Sequence, residues 1–390
     1  MRTRVIAAIL LASAIQLFSQ TVPVTTTSNP TVAFVYVGEN TTPPKISAFA
    51  VQQDGSTQAV SGSPFLGPSY LLASNSGYVF ATDNTNLVTY ARATNGTLRE
   101  SSVLRGVPAW AMTLDRSGSS AYVFETNSQE QGAYAEYGVM GTGALAWRAT
   151  TPYSSNYGSP LLFSADNKFA YGTACSSEIW NVYGFYRGAN GVLTAFDPGP
   201  TQPPGPTGGA SFCPSYSAIS AKGYLAILYE VPAAMAGGDW IATYSITSTG
   251  GLQYVSSILA NAHVQSAGPL RFDPTGTYLV EAGTGTFELN SDGTLTNLGQ
   301  VNRGAFLDMQ WDSAGHAYSI DGTALYIYAS NNGVLTLVGS AIPVTQANRL
   351  AVVPVSVGCG VAGCGSVSEV ANVHTLVPVN PAAAVRRGEP

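Results

Sequence analysis

Any chemistry in this chain has to be done with few ionisable side chains. The 390 residues include 22 Asp and Glu, 16 Lys and Arg, and 3 His. A histidine-dependent triad has only His263, His316 and His374 to draw on. His316 stands in the turn Ser313-Ala-Gly-His316 and His374 near the C-terminus, so both read as solvated loop residues. His263 draws more interest, because it precedes a strand that reads as innermost in its sheet. Glu281 and Asp308 join it as weak acid–base candidates, and no residue is assigned as catalytic. Three arginines, Arg271, Arg303 and Arg349, fall at comparable positions with Trp110, Trp311, Tyr216 and Tyr70. Arginine grips carboxylates and phosphates with two parallel hydrogen bonds, and flat aromatics stack on sugar faces. The set therefore suits an anionic or sugar-like ligand. The same aromatics would serve equally to pack sheets together, and the arginines to pair internally.

Other chemistries lack their residues. There is no Gly-x-Ser-x-Gly elbow, no His-Glu-x-x-His, no phosphate-cradling glycine loop and no Gly-x-Gly-x-x-Gly. Asp54-Gly55, Asp292-Gly293 and Asp321-Gly322 resemble fragments of calcium loops, but without spaced carboxylates they read as hairpin turns. No metal and no cofactor is anticipated.

The elements that must position these residues are written as a repeat. An aromatic, a short loop, a glycine and an apolar residue recur as Tyr90/Gly96/Leu98, Tyr137/Gly143/Leu145, Phe185/Gly191/Leu193, Tyr244/Gly250/Leu252 and Phe287/Gly293/Leu295. Tyr328/Gly333/Leu335 has a shorter loop, and Phe49/Gly55 carries Thr57 in place of Leu. Each reads as a β-hairpin whose glycine takes the positive-φ position. The copies recur at intervals of about 40 to 60 residues, the scale of propeller blades. Upstream of six of them lies a second strand pair, clearest in Gly268-Pro-Leu-Arg-Phe-Asp-Pro-Thr-Gly276-Thr-Tyr-Leu-Val280. The first unit, from Thr31, lacks the innermost strand of that pair. Leu350-Ala-Val-Val-Pro354 aligns with Leu270-Arg-Phe-Asp-Pro274 but has no blade after it. The sequence thus predicts an all-β, seven-bladed propeller of four-stranded blades, closed by the C-terminal strand pairing into the first blade.

Arg2 and Arg4 followed by the apolar run Val5 to Phe18 read as an export signal over residues 1–20. An exposed lead-in over 21–30, the propeller over 31–355 and a Gly/Val/Ala-rich tail over 356–390 complete the expected plan. Four cysteines in an exported chain suggest two disulfides, and four allow three pairings. The favoured one joins Cys175 to Cys213, across insertion loops of neighbouring repeats, and Cys359 to Cys364, closing a small loop in the tail. Long loops at 197–209 and 231–239 stand out, and such loops either carry function or drift on a tolerant scaffold. With a net charge of -6 and 10% charged residues there is no basic stripe for nucleic acid, and no membrane span is expected once the signal is removed.

The motif Gly268-Pro-x-x-Phe-x-Pro-x-Gly276-x-Tyr-x-Val280, followed by an aromatic, a short loop and Gly-x-Leu, resembles the lactonase-like, YVTN-type seven-bladed propeller family. Its relatives include the propeller form of 6-phosphogluconolactonase and exported bacterial propellers. The resemblance spans residues 31 to 355. Lactonases of that family tend to carry His soon after a Gly-Pro-Arg, whereas Gly268-Pro-Leu-Arg271 has none. Glu125 and Glu281 are the nearest counterparts of the family's acidic residue after the Tyr-Val strand. The expected function is an exported, periplasmic or extracellular binding or scaffold protein without catalysis, monomeric, with an extracytoplasmic protein, a glycan or a small anionic ligand at the channel mouth. The alternative is a hydrolase of a sugar lactone or sugar-acid ester, with Glu281 or Asp308 as base.

Overall fold

The computed structural model describes residues 29–355 except 84, 108, 110, 127–131, 154–158, 176–179, 200–212, 232–237, 262–268, 282–284 and 300–305. It is an all-β ring of seven blades, each an antiparallel sheet. Blade 1 contains β1 (Thr31–Glu39), β2 (Lys45–Gln52) and β3 (Thr57–Ala59), with the two-residue β4 (Phe65–Leu66) beside β2. Blade 2 runs β5 (Tyr70–Ser74), β6 (Tyr78–Thr82), β7 (Asn86–Arg92) and β8 (Leu98–Arg105) from the inside out. Blade 3 follows as β9 (Ala111–Leu114), β10 (Ser120–Thr126), β11 (Gly132–Val139) and β12 (Leu145–Tyr153), and blade 4 as β13 (Leu162–Phe163), β14 (Phe169–Cys175), β15 (Trp180–Arg187) and β16 (Leu193–Phe196). Blade 5 comprises β17 (Cys213–Ile219), β18 (Tyr224–Val231), β19 (Gly238–Ile246) and β20 (Leu252–Asn261). Blade 6 comprises β21 (Leu270–Phe272), β22 (Tyr278–Glu281), β23 (Gly285–Leu289) and β24 (Leu295–Gly299). Blade 7 comprises β25 (Asp308–Trp311), β26 (His316–Ile320), β27 (Ala324–Asn331) and β28 (Val334–Leu337), with β29 (Ile342–Pro343) beside β27.

The last strand, β30 (Ala347–Pro354), closes the ring. It pairs antiparallel with β1, Tyr36 opposite Ala351 and Ala33 opposite Pro354, and so becomes the innermost strand of blade 1. It packs against β5 on one side and β25 on the other. The displaced strand of the sequence is therefore the clasp, and it removes two sheet edges that would otherwise lie open.

The repeating glycines do two jobs at once. All seven have φ between +78° and +86°, where a side chain is strained. Each also presses on the preceding blade. A Cβ on Gly250 would lie 2.5 Å from Phe169, and one on Gly55 would lie 2.6 Å from Val338 of blade 7. Tyrosines on second strands fasten these same contacts. Tyr36, Tyr122 and Tyr171 donate from their hydroxyls to the carbonyls of Gly96, Gly191 and Gly250 in the next blade, at 2.7–2.8 Å. A β-bulge falls opposite the hairpin aromatic at Tyr90, Tyr137, Tyr244 and Phe287, where the fourth strand carries one extra residue that spacing alone does not reveal.

The turns between first and second strands are built on an acidic or hydroxyl side chain. Asp273 Oδ1 accepts from the amides of Thr277 and Tyr278, both at 2.8 Å, and Asp115 and Asp312 act alike. His316 departs from its expected solvated state. It is buried in such a turn, with Nδ1 3.0 Å from Asp312 Oδ2, which also accepts from Tyr318 Oη at 2.6 Å. The turn is short enough that the ring folds back onto its own capping carboxylate.

Candidate binding site at the channel mouth

The chain enters every innermost strand from the same rim of the ring, called here the mouth. Tyr70 and Asp308 are the first residues of β5 and β25, Arg271 the second of β21 and Arg349 the third of β30. Connectivity therefore gathers residues 70, 271, 308 and 349 at the mouth from blades 2, 6, 7 and 1, although they are far apart in sequence.

Asp308 is the hub. It is fully buried, Oδ2 accepts from Leu350 N at 3.0 Å and Oδ1 from Met309 N at 2.8 Å, and Arg271 Nη2 lies 3.7 Å from Oδ1. Burial pushes its carboxyl up from the ordinary range, against the pull of Arg271, Arg349 and the two amides. Arg271 is itself buried, with Nε donating to Met309 O at 3.0 Å and Nη1 to Leu270 O at 2.8 Å. Its guanidinium thus ties blade 6 to blade 7. Arg349 differs. It is half-buried, donates from Nη1 to Asn348 O at 2.7 Å and from Nη2 to Tyr70 Oη, and lies 4.6 Å from the centre of the Tyr70 ring. Its Nε makes no hydrogen bond, and neither does the buried Oδ1 of Asn348 beside it.

Glu281 ends β22 at the same rim but belongs to the other side of blade 6. It lies opposite Leu270 in register, and Leu270 packs with Leu279, Leu228 and Ile241 between blades 5 and 6. Both of its carboxylate oxygens are buried without a hydrogen bond. Burial, and then the neighbouring Asp239 of β19, push its carboxyl up to about 8. Glu281 and Arg271 consequently do not share one site. Glu125, at the mouth end of β10, is also raised by burial and accepts from Tyr137 Oη at 3.3 Å.

The remaining candidates fall elsewhere. Trp311 is buried at the far end of β25, against Val280, Phe306 and Met309. Tyr216 is half-buried in mid-β17, against the apolar cluster of blades 5 and 6. Trp110, His263, Arg303, Cys359, Cys364 and His374 lie outside the described residues, as do the signal and tail regions. Asn348 and Asp239 were not singled out by the sequence. Asp239 closes the stretch read as a loop over 231–239, but Gly238 already begins β19. Its only sequence signal is an acidic residue directly before the apolar run Trp240-Ile-Ala.

No family profile matches the chain, and no curated protein sequence is similar to it. Solved structures do resemble it. A candidate 6-phosphogluconolactonase of Bacteroides fragilis superposes with a TM-score of 0.63 at 16% identity, over 83% of this chain and 98% of its own. A second, from Bacteroides uniformis, gives 0.64 at 17% identity over 83% and 100%. A protein from Lactobacillus plantarum gives 0.61 at 15% over 83% and 99%. The likeness is one of fold. It places the chain beside lactonase-like propellers in architecture.

Proposed function

We propose that this chain is an exported binding or scaffold protein that receives a small anionic ligand, a glycan or an extracytoplasmic protein at its channel mouth, on Arg349. The observation that carries the reading is the contrast between the two arginines. Arg271 is consumed in tying blades together, whereas Arg349 is only half-buried and is braced on the Tyr70 ring. A guanidinium held in this way is pre-ordered for an anionic or hydroxyl-rich group, so little side-chain freedom is lost on binding. Catalysis is disfavoured by the state of the acids. Asp308 is occupied by two amides and Arg271, and Glu281, its carboxyl raised by burial, lies on the other side of blade 6 from Arg271.

Export and the Cys175–Cys213 disulfide belong to the same proposal. These residues end β14 and begin β17, two packed strands of adjacent blades, both at the mouth. No free thiol stands among the described residues. Among those residues, too, no helix is long and apolar enough to cross a membrane.

The test is a thermal-shift panel of sugar acids, sugar lactones and neutral glycans on the chain from residue 21, with lactone hydrolysis followed in parallel. A ligand at a hundredfold excess over its dissociation constant adds about 2.7 kcal/mol of stability. The expected result is a shift with one class, abolished in Arg349→Ala, and no lactone consumed. Consumption of a lactone that also shifts the melting temperature would replace this reading with the lactonase one. A shift that survives Arg349→Ala would remove the site from Arg349.

A further inference from the structure

The mouth holds more charge than Arg349 alone, and the balance around it restricts what an anion there can be. Arg271 and Arg349 bring two positive charges and Asp308 one negative. Both Asp308 oxygens accept from amides, those of Met309 and Leu350, and Arg271 is charged at every accessible pH. The ionised carboxylate is the form that these partners hold. On the same rim Glu39 stands opposite Ala347 in register and faces Lys45 at 3.3 Å, a pair that cancels. Among the described residues, the cluster around Asp308 is therefore left with a single positive charge.

The donors left for a ligand are few. A guanidinium has five N–H groups. In Arg349, Nη1 gives one to Asn348 O, Nη2 gives one to Tyr70 Oη, and Nε is enclosed without a partner. One hydrogen on each Nη remains, the end of the fork that matches the two oxygens of one carboxylate. Tyr70 Oη accepts from Arg349, so its own hydrogen is left to donate, and burial pushes the phenol up, which keeps that hydrogen in place. The guanidinium carbon lies 4.6 Å from the centre of the Tyr70 ring, so fork and hydroxyl are held as one unit. The charge of Asp308 acts on both Arg349 and Tyr70. One negative charge on a ligand balances the cluster. A second would stand against Asp308 in a half-buried site with no cation of the cluster left to meet it.

We propose that the ligand of this site is a monoanion presenting one carboxylate, gripped by the Nη1 and Nη2 ends of Arg349 and by the Tyr70 hydroxyl, and that Asp308 turns dianionic phosphate esters away. The proposal rests on the reading of Arg349 as the binding residue and narrows it. It runs against the general affinity of arginine for phosphate, which would favour the more highly charged ligand. A sugar acid and the C-terminus of a peptide both present such a carboxylate.

Four probes separate the cases on the chain from residue 21: glucuronate, N-acetylglycylglycine, glucose 6-phosphate and neutral glucose. Each is followed by melting temperature and by calorimetric titration, at about pH 7.5 and about pH 5. A phosphate ester loses its second charge below a pKa of about 6, while carboxylates stay ionised at both values. At the higher pH, one of the two carboxylates should bind about tenfold more tightly than glucose 6-phosphate, and glucose should not bind. At the lower pH that advantage should narrow. The better of the two carboxylates identifies the source, sugar acid or peptide. Arg349→Lys keeps the charge but loses the fork, and should weaken carboxylate binding about tenfold. Tyr70→Phe keeps the ring, and should weaken it several-fold. Glucose 6-phosphate binding as tightly as the carboxylates at the higher pH, and losing that binding in Arg349→Ala, would overturn the charge selection and leave Arg349 as the site. A carboxylate preference unchanged at the lower pH would assign the selection to shape and overturn the proposal in the same way. Carboxylate binding that survives Arg349→Ala, or a response to none of the probes, would overturn it together with the reading on which it rests.

Discussion

Alanine at Gly250 and alanine at Gly223 separate the two demands made on glycine in this fold. The backbone is nearly the same at both, with φ of +84° and +85°. The surroundings are opposite. A Cβ at Gly223 meets nothing within 4 Å, while one at Gly250 would stand 2.5 Å from Phe169 and 2.8 Å from Phe196. Left-handed backbone with a Cβ costs about 1–2 kcal/mol, and that is the whole expected loss in Gly223→Ala. Gly250→Ala carries the same loss plus about 1–3 kcal/mol for crowding in a packed layer. The added methyl also wedges apart the junction where Tyr171 donates to the Gly250 carbonyl at 2.8 Å. Any effect of glycine on unfolded-chain entropy is common to both variants and cancels in the comparison. Urea unfolding followed by tyrosine and tryptophan fluorescence gives the two midpoints, with slopes checked for equality so that the midpoint shift reports stability. Gly250→Ala should unfold at distinctly lower urea than Gly223→Ala. Equal losses would refute the claim that the repeat glycines are places of blade-to-blade contact, leaving them as turn residues only.

Two further outcomes follow from the mouth. Asp308→Ala leaves the buried Arg271 without its countercharge and Leu350 N without its acceptor, and should cost about 3–5 kcal/mol in urea unfolding, whereas Arg349→Ala, at a half-exposed position, should cost less than about 1 kcal/mol. Cys213→Ser, or reduction of the native chain, should remove about 4 kcal/mol for a closed loop of this length; a reduced protein that unfolds at the same urea concentration as the oxidised one would exclude the Cys175–Cys213 link.

Much of the architecture was legible because it is written locally. Each hairpin carries its own aromatic, turn and positive-φ glycine, and these signals depend on neighbours within about ten residues. Closure by Leu350–Pro354 could be read as well, since a strand motif without its blade and a blade without its strand must match. The bulges at Tyr90, Tyr137, Tyr244 and Phe287 could not, because they arise from the fit of two strands and leave no residue signature. His316 misled for a related reason. Its turn looked exposed, but Asp312 draws the ring inward and Tyr318 seals it.

The site shows the same division more sharply. Residue type and repeat position were enough to nominate Arg271, Asp308 and Arg349 together. Sequence could not say that Arg271 would be spent on Met309 O, Leu270 O and Asp308 while Arg349 would stay half-buried against the Tyr70 ring. Nor could it bring Asp239 to Glu281. A strand alternates its side chains between two faces, and in a propeller those faces meet different blades. Chain order fixed the blades and their sequence around the ring; which carboxylate gained an arginine, and which met another carboxylate, was decided only when the blades closed against one another.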